Sequence, residues 1–301
     1  MIHVGTCSWT EKTLIQSGEF YPKSVKTSET RLRYYAENFD TVEVDSTYYA
    51  IPERRNTYLW ADRTPENVIF HIKVYGTLTG HGTDPKTLPK DLQEILPYKH
   101  RQQPKVFIKE PSILRAIADA FKDALTPLMN KGKLGILVFQ FPPWIEYKNK
   151  NLDYILSCKN AMGRIPIAVE FRHGSWLTPD NQDTVFHFLR KHQIIYVMAD
   201  EPQYGNLTTV PFIPQLTADT AYFRLHGRNK DNWLKKGIET SLRYSYLYSE
   251  RELMEFVPTM KSIDKRAKQV YVMFNNCHGG FAMKNALRLK EMVREKSEPS
   301  R

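Results

Sequence analysis

The chain has 301 residues, 41% hydrophobic and 25% charged, and no apolar run approaches the roughly 20 residues of a membrane span, so a helical membrane protein is excluded. Lys and Arg number 43 against 33 Asp and Glu, a balance of +10 that favours anionic ligands at long range, although an evenly solvated surface is the plainer reading of a basic composition. Cys7, Cys158 and Cys277 have no CxxC spacing and the opening MIHVGTCSWT lacks the layout of a signal peptide, so neither disulfides nor zinc are expected and a reducing, cytoplasmic setting is.

Apolar runs bounded by turn or polar residues predict strands at 2–7, 41–45, 68–74, 134–141, 166–171, 194–200, 221–227 and 270–276. Helical patterns fill most gaps between them, at 28–39, 54–63, 111–130, 150–162, 180–192, 249–266 and 282–295. Strand followed by helix, repeated, means a parallel sheet. Eight such units suit a closed (β/α)8 TIM-like barrel, and no GxGxxG turn follows the first strand to suggest an open dinucleotide-binding sheet. Two departures are expected. Residues 76–110 form a long insertion after the third strand, a lid or added element over the barrel. Residues 200–219 hold Pro202, Pro211 and Pro214, which leave no room for a full helix and predict an irregular connection between strands six and seven. The whole chain, 1–301, is expected to form one barrel domain.

The segment TVEVDSTYYAIP at 41–52 shows how such a barrel treats its polar residues. Strand side chains alternate between faces, so Val42 and Val44 share one side and Glu43 and Asp45 the other. Outward faces pack on helices, so the carboxylates must point into the barrel. Counting by twos puts His71 with Lys73, Glu170 with Arg172, and Arg224 with His226 on the same inward face, near the C-terminal ends of their strands. Gln140, Asp200, Asn275 and Asn276 close other strands there. That end is where barrel enzymes keep their active sites. Glu43, Asp45 and Glu170 are expected to meet Lys73, Arg172 and Arg224 across the lumen, either as a structural ion-pair network or as a site with shifted acid and base strengths.

Trp9, Trp144, Trp176 and Trp233 fall in loops on that same end and could wall a flat ligand or cap the core. The loops GRNKDNWLKKG and NNCHGG follow strands seven and eight, where barrels of this kind bind phosphate. Cys7 and Cys277 end neighbouring strands and are expected to be ordinary thiols. Glu43, Asp45, Glu170, Asp200, His173 and His226 are conceivable metal ligands, but no HExxH or paired-His spacing supports a site, and neither metal nor cofactor is expected.

The segments GTCSWT, FDTVEVDSTYYAIP, FHIKVYGTLTGH, LGILVFQFPPW, IAVEFRHGSW, YFRLHGR, YSYLYS and VMFNNCHGGFAMKNA, in this order from first strand to last helix, together resemble the domain-of-unknown-function family 72, the YecE-like proteins. The resemblance covers nearly the whole chain and implies a TIM-like barrel without an established reaction. It also implies recurrent polar positions at Glu43, Lys73, Gln140, Glu170, Arg172, His173, Trp176, Arg224, His226, Asn275 and Asn276. Asp45 stands where Asn is the commoner residue of the motif, and Cys7 where Ser or Gly is.

These residues lead to an enzyme using the barrel mouth for acid–base or hydrolytic chemistry on a small anionic substrate, phosphorylated or sugar-like. Glu43 and Glu170 are candidate acid and base, Lys73 and His226 polarise or protonate, and Trp9, Asp45, Gln140, Arg172, His173, Trp176, Arg224, Asn275 and Asn276 line the ligand. A nucleic-acid binder or phosphodiesterase and a non-catalytic binding barrel are the alternatives; oligomeric state is left open.

Overall fold

Stretches of Val, Ile, Leu and Phe form eight strands: β1 (Ile2–Thr6), β2 (Thr41–Val44), β3 (Ile69–Lys73), β4 (Leu134–Gln140), β5 (Ile167–Glu170), β6 (Ile195–Asp200), β7 (Thr220–Leu225) and β8 (Gln269–Phe274). In the computed structural model, which describes residues 1–294, they pair in parallel in the order β1-β8-β7-β6-β5-β4-β3-β2. Interleaved helices complete a TIM-like α/β barrel: α1 (Lys12–Ser17), α2 (Ser28–Asn38), α3 (Arg54–Asp62), α4 (Lys90–Glu94), α5 (Tyr98–Arg101), α6 (Pro111–Ala124), α7 (Thr126–Asn130), α8 (Asn149–Met162), α9 (Gln182–Lys191), α10 (Lys230–Trp233), α11 (Thr240–Arg243), α12 (Glu250–Asp264) and α13 (Phe281–Arg294). No helix among the described residues is long and apolar enough to cross a membrane.

The helix expected at 111–130 is two. Pro127 lies in the first turn of α7, where its missing N–H costs nothing, and the chain breaks at Leu125 just before it. Residue 295, the last of the final predicted helix, lies outside the described residues. The insertion at 76–110 folds around an antiparallel bridge between Thr83 and Val106 and buries Leu88, Leu92 and Leu96. The proline-containing segment between β6 and β7 holds no helix, as its composition predicts.

Side chains complete the barrel wall in two places. Among the described residues no ladder joins β1 to β2, and the buried Tyr35 hydroxyl spans the seam instead. It accepts from the Thr6 N–H at 3.0 Å and donates to the Thr41 carbonyl at 3.0 Å. A Cβ on Gly5 would stand 2.3 Å from that carbonyl, so only glycine lets the strands approach here. Between β3 and β4 the register shifts, and His71 Nδ1 accepts from the Ile136 N–H at 3.0 Å. Burial holds the His71 pKa near 3, so its ring is neutral and suited to replace a carbonyl in the ladder. Tyr35→Phe is expected to cost about 1–3 kcal/mol, because it strands a buried donor and acceptor at the seam. A lower urea midpoint at unchanged slope would report this loss; an unchanged midpoint would show that the seam does not depend on the hydroxyl.

Candidate active site at the barrel mouth

Alternation fills the barrel in layers. Ile136, Val138, Ala168, Ile195, Val197, Tyr222 and Met273 pack with Cys7 as an apolar plug. Above it, at the C-terminal ends of the strands, lies a net of charges centred on Arg224, which is wholly buried. Arg224 Nη2 donates to Glu43 Oε1 at 2.6 Å and to Asp45 Oδ1 at 3.2 Å. Its Nη1 donates to Glu170 Oε2 and, at 3.3 Å, to Gln140 Oε1. Arg172, just past β5, lies with Nε against Glu170 and donates from Nη1 to Glu201 Oε2 at 3.0 Å and from Nη2 to Gln140 Oε1 at 3.3 Å. Its guanidinium stacks over Trp233 at 5.4 Å. His226 Nδ1 receives a hydrogen bond from Asn275 Nδ2 at 2.9 Å, and its Nε2 faces Glu170 Oε1 at 3.1 Å and Arg172 Nη2 at 3.2 Å. Burial lowers the His226 pKa to about 3, so this ring is neutral near pH 7.

The carboxyls are pushed apart in acidity. Burial opposes ionisation of Glu170, yet Arg172, Arg224 and His226 overcome it and hold this carboxyl well below the usual range. Burial raises Glu43 to about 8, with the neighbouring Asp45 charge adding to the rise and Arg224 offsetting only part of it. Asp45 moves the other way, because Lys73 and Arg224 outweigh its burial and keep it ionised. Near neutral pH the Glu43–Asp45 pair therefore holds one proton, placed on Glu43. Burial likewise raises Glu201 to about 7 against the pull of Arg172.

Exposure decides which groups can meet a ligand. The side chains of Asp45, Lys73 and Arg172 are 25%, 12% and 10% exposed, whereas those of Glu43, Glu170, Arg224 and His226 are fully buried. Lys73 Nζ sits 3.9 Å from Asp45 Oδ1 and 4.8 Å from the Tyr48 ring. Asp45, Lys73 and Arg172 thus form the outer layer of the site. Glu43 and Arg224 hold Asp45 from beneath, and Tyr222 supports Glu43 by donating to Oε2 at 2.8 Å.

Other residues expected at the site have different partners. Asn276 is buried and donates to the Tyr246 carbonyl and to Asn285, both at 2.8 Å. Asp200 receives a forked pair of bonds from Arg228 and one from the Tyr248 hydroxyl at 2.6 Å. His173 accepts from the Ser175 N–H and caps a short turn. Trp176 is buried, stacks on Phe171 and donates to the Ile145 carbonyl at 2.7 Å. Trp9 packs edge-on against Trp60 and Phe70, and Trp144 is 54% exposed on the rim. In the expected phosphate loop the Gly279 N–H donates to the Thr13 hydroxyl at 2.7 Å.

Glu201 and Tyr222 were missed by the sequence reading, although both follow from strand parity, two residues beyond Ala199 and two before Arg224. His81, edge-on to Tyr48 and Trp144, lies in the insertion, where no periodicity marks it. For a cation, Cys7, Glu43 and Asp45 offer ligand atoms within 4.8 Å of one another, but Arg224 lies among them, 3.7 Å from Cys7 Sγ. Burial also keeps Cys7 a protonated thiol, so a metal would have to displace both the guanidinium and a proton.

Comparison with known proteins identifies the chain's family. The family model described as "Protein of unknown function DUF72" matches residues 3–301. The chain belongs to the DUF72 family. A DUF72 relative, the UPF0759 protein YunF of Bacillus subtilis, is 33% identical over 297 residues, covering 97% of this chain and 95% of that protein. Among solved structures, a DUF72 protein of Thermotoga maritima is 32% identical with a TM-score of 0.78, covering 98% of this chain and 100% of that one. A DUF72 protein of Enterococcus faecalis is 26% identical with a TM-score of 0.79, covering 100% and 99%.

Glu43→Gln in this DUF72 chain is expected to change how stability depends on pH. A carboxyl raised from 4.5 to about 8 stabilises the fold fully below its unfolded value, and that contribution is lost as pH rises through 8. The amide never ionises. The melting temperature of the variant relative to wild type should therefore climb steadily from pH 5 to about pH 8. A difference that stays constant across this window would mean that Glu43 is ionised throughout.

Proposed function

We propose that the barrel mouth is the active site of an enzyme doing acid–base or hydrolytic chemistry on a small anionic substrate. The observation that carries this reading is the split pair: a protonated, inaccessible Glu43 beneath an ionised, partly exposed Asp45, with Lys73 alongside. Asp45 is the base that takes a proton from the substrate or from an attacking water. Glu43 and Arg224 are positioning residues, since neither reaches the surface. Lys73 and Arg172 attract the anion.

Charge bookkeeping supports an anionic substrate. Lys73, Arg172 and Arg224 are balanced firmly only by Asp45 and Glu170, because Glu43 holds a proton and burial raises Glu201 to about 7. An added anion therefore meets a site that can take negative charge. The free thiols Cys7, Cys158 and Cys277 suit a cytoplasmic setting.

A thermal-shift screen of phosphorylated sugars, sugar acids and nucleotides on wild type, Lys73→Met and Asp45→Asn tests the proposal. An anion that stabilises wild type, fails to stabilise Lys73→Met, and is bound but no longer turned over by Asp45→Asn is the expected result. A ligand that stabilises all three proteins equally and is never transformed would replace the enzyme with a binding barrel whose charge net is structural.

A further inference from the structure

Beside the mouth lies a concavity of about 750 Å³, within the roughly 300–1,000 Å³ usual for small-molecule sites. One wall comes from the insertion, through His81, Phe107 and Lys109; the other comes from the loop after β4 and the start of α8, through Trp144, Lys150 and Asn151. Phe107 and Trp144 are 50% and 54% exposed, far more than large aromatic side chains usually are. They nonetheless pack against their neighbours, edge-on to one another at 6.5 Å, with Trp144 also edge-on to His81 at 5.4 Å. Lys105 Nζ lies 5.9 Å over the Phe107 ring, and Lys109 and Lys150 are exposed on the groove's two walls. Asn151 spends its Nδ2 on the Glu146 carbonyl at 2.7 Å, which leaves Oδ1 as an acceptor.

We infer that this groove binds the base of a nucleoside monophosphate. Exposed aromatic surface on Trp144, beside a Phe107 ring with Lys105 over one face, suits a flat partner, because every nucleobase has a face to stack. The exposed lysines favour an anion, and Asn151 Oδ1 can take a hydrogen bond from a base amino group or ring N–H. A nucleoside phosphate joins all three features in one small molecule. Successive contacts lead from the groove to the mouth: Trp144 to His81 at 5.4 Å, His81 to Tyr48 at 5.0 Å, and Tyr48 to Lys73 Nζ at 4.8 Å. The inference names the substrate class of the proposed enzyme; it rests on that reading for the fate of the reacting end and not for binding of the base.

Titrating AMP, GMP, CMP and UMP into wild type, Trp144→Ala, a Lys109→Ala/Lys150→Ala double variant and Asp45→Asn by calorimetry at low salt tests it. Adenosine, inorganic phosphate and a short single-stranded oligonucleotide are run in parallel. The expected result is saturable binding of at least one monophosphate at one site, weakened roughly 5- to 150-fold by Trp144→Ala, the worth of one base–aromatic stack. The double variant should weaken binding and flatten its salt dependence. Trp144 is exposed, so its loss should leave the melting temperature of the free protein nearly unchanged, separating a binding defect from an unfolded one. Absence of monophosphate binding, or affinity indifferent to Trp144→Ala, overturns the inference. Binding of the oligonucleotide alone also overturns it, in favour of a nucleic-acid strand. The enzyme reading is judged separately, by whether Asp45→Asn abolishes turnover of whatever ligand the mouth accepts.

Discussion

Arg224→Met should lower stability by roughly 3–5 kcal/mol at pH 8, the usual consequence of removing one partner from a buried ion-pair network. Glu43, Asp45 and Glu170 all lean on this one guanidinium, and Glu43 and Glu170 have no exposure through which water could replace it. Methionine restores much of the volume but none of the charge, so the carboxyls left behind are a repelling cluster above an apolar plug. The pH dependence separates this from a simple packing defect. In wild type Glu170 is held well below 4.5, so the stability it contributes is present above the unfolded value and is lost as pH falls. Without Arg224 the same carboxyls take up protons more readily, and the variant should gain on wild type as the solution is acidified. Urea unfolding at pH 8 and pH 5 would show a gap that narrows in acid. A gap below about 1 kcal/mol, or one equal at both pH values, would mean that the net is not held by Arg224.

Asp45→Asn should reduce turnover by about 10²- to 10⁴-fold, the range of a lost general base, while leaving substrate affinity within a few-fold. The amide keeps the shape of the side chain and can still accept from Arg224, but it cannot take a proton. The wild-type pH profile follows from the same pair. Asp45 is ionised throughout the neutral range, so kcat/KM should be flat there and fall as pH passes about 8, where Glu43 gives up its proton and places a second negative charge beneath the base. That new charge repels an anionic substrate, so the fall should appear in kcat/KM more than in kcat. Measured rates that keep rising beyond pH 8, or an Asp45→Asn enzyme of undiminished kcat, would remove Asp45 from the base role and leave the split pair as structure.

Strand parity is a local property of the chain, and so much of the inner face could be read without coordinates. Glu43, Asp45, Lys73, Glu170, Arg172, Arg224 and His226 each follow from counting by twos along an apolar run, and the repeat of eight strands with helices between them suited a closed barrel. The irregular link from β6 to β7 was equally legible, because proline acts on its own backbone.

Which of these charges touch one another, and which reach solvent, depends on closure of the barrel. Asp45 and Glu43 belong to one segment and one face, yet one is partly exposed and the other sealed, and their acidities diverge because burial in the closed barrel raises Glu43 while Lys73 and Arg224, from strands remote in sequence, outweigh burial at Asp45. Tyr35 looks in sequence like any helix residue facing a core, and only the meeting of β1 with β2 makes its hydroxyl a substitute for a ladder bond. Asn276 sits beside Asn275 in the same motif, but the turn after β8 sends it to Tyr246 and Asn285 while Asn275 stays with His226. Composition and periodicity act over a few residues and so determined the elements and the inward set. Ionisation, exposure and partner choice depend on distances of a few ångströms between segments remote in sequence, and only the folded barrel decides those.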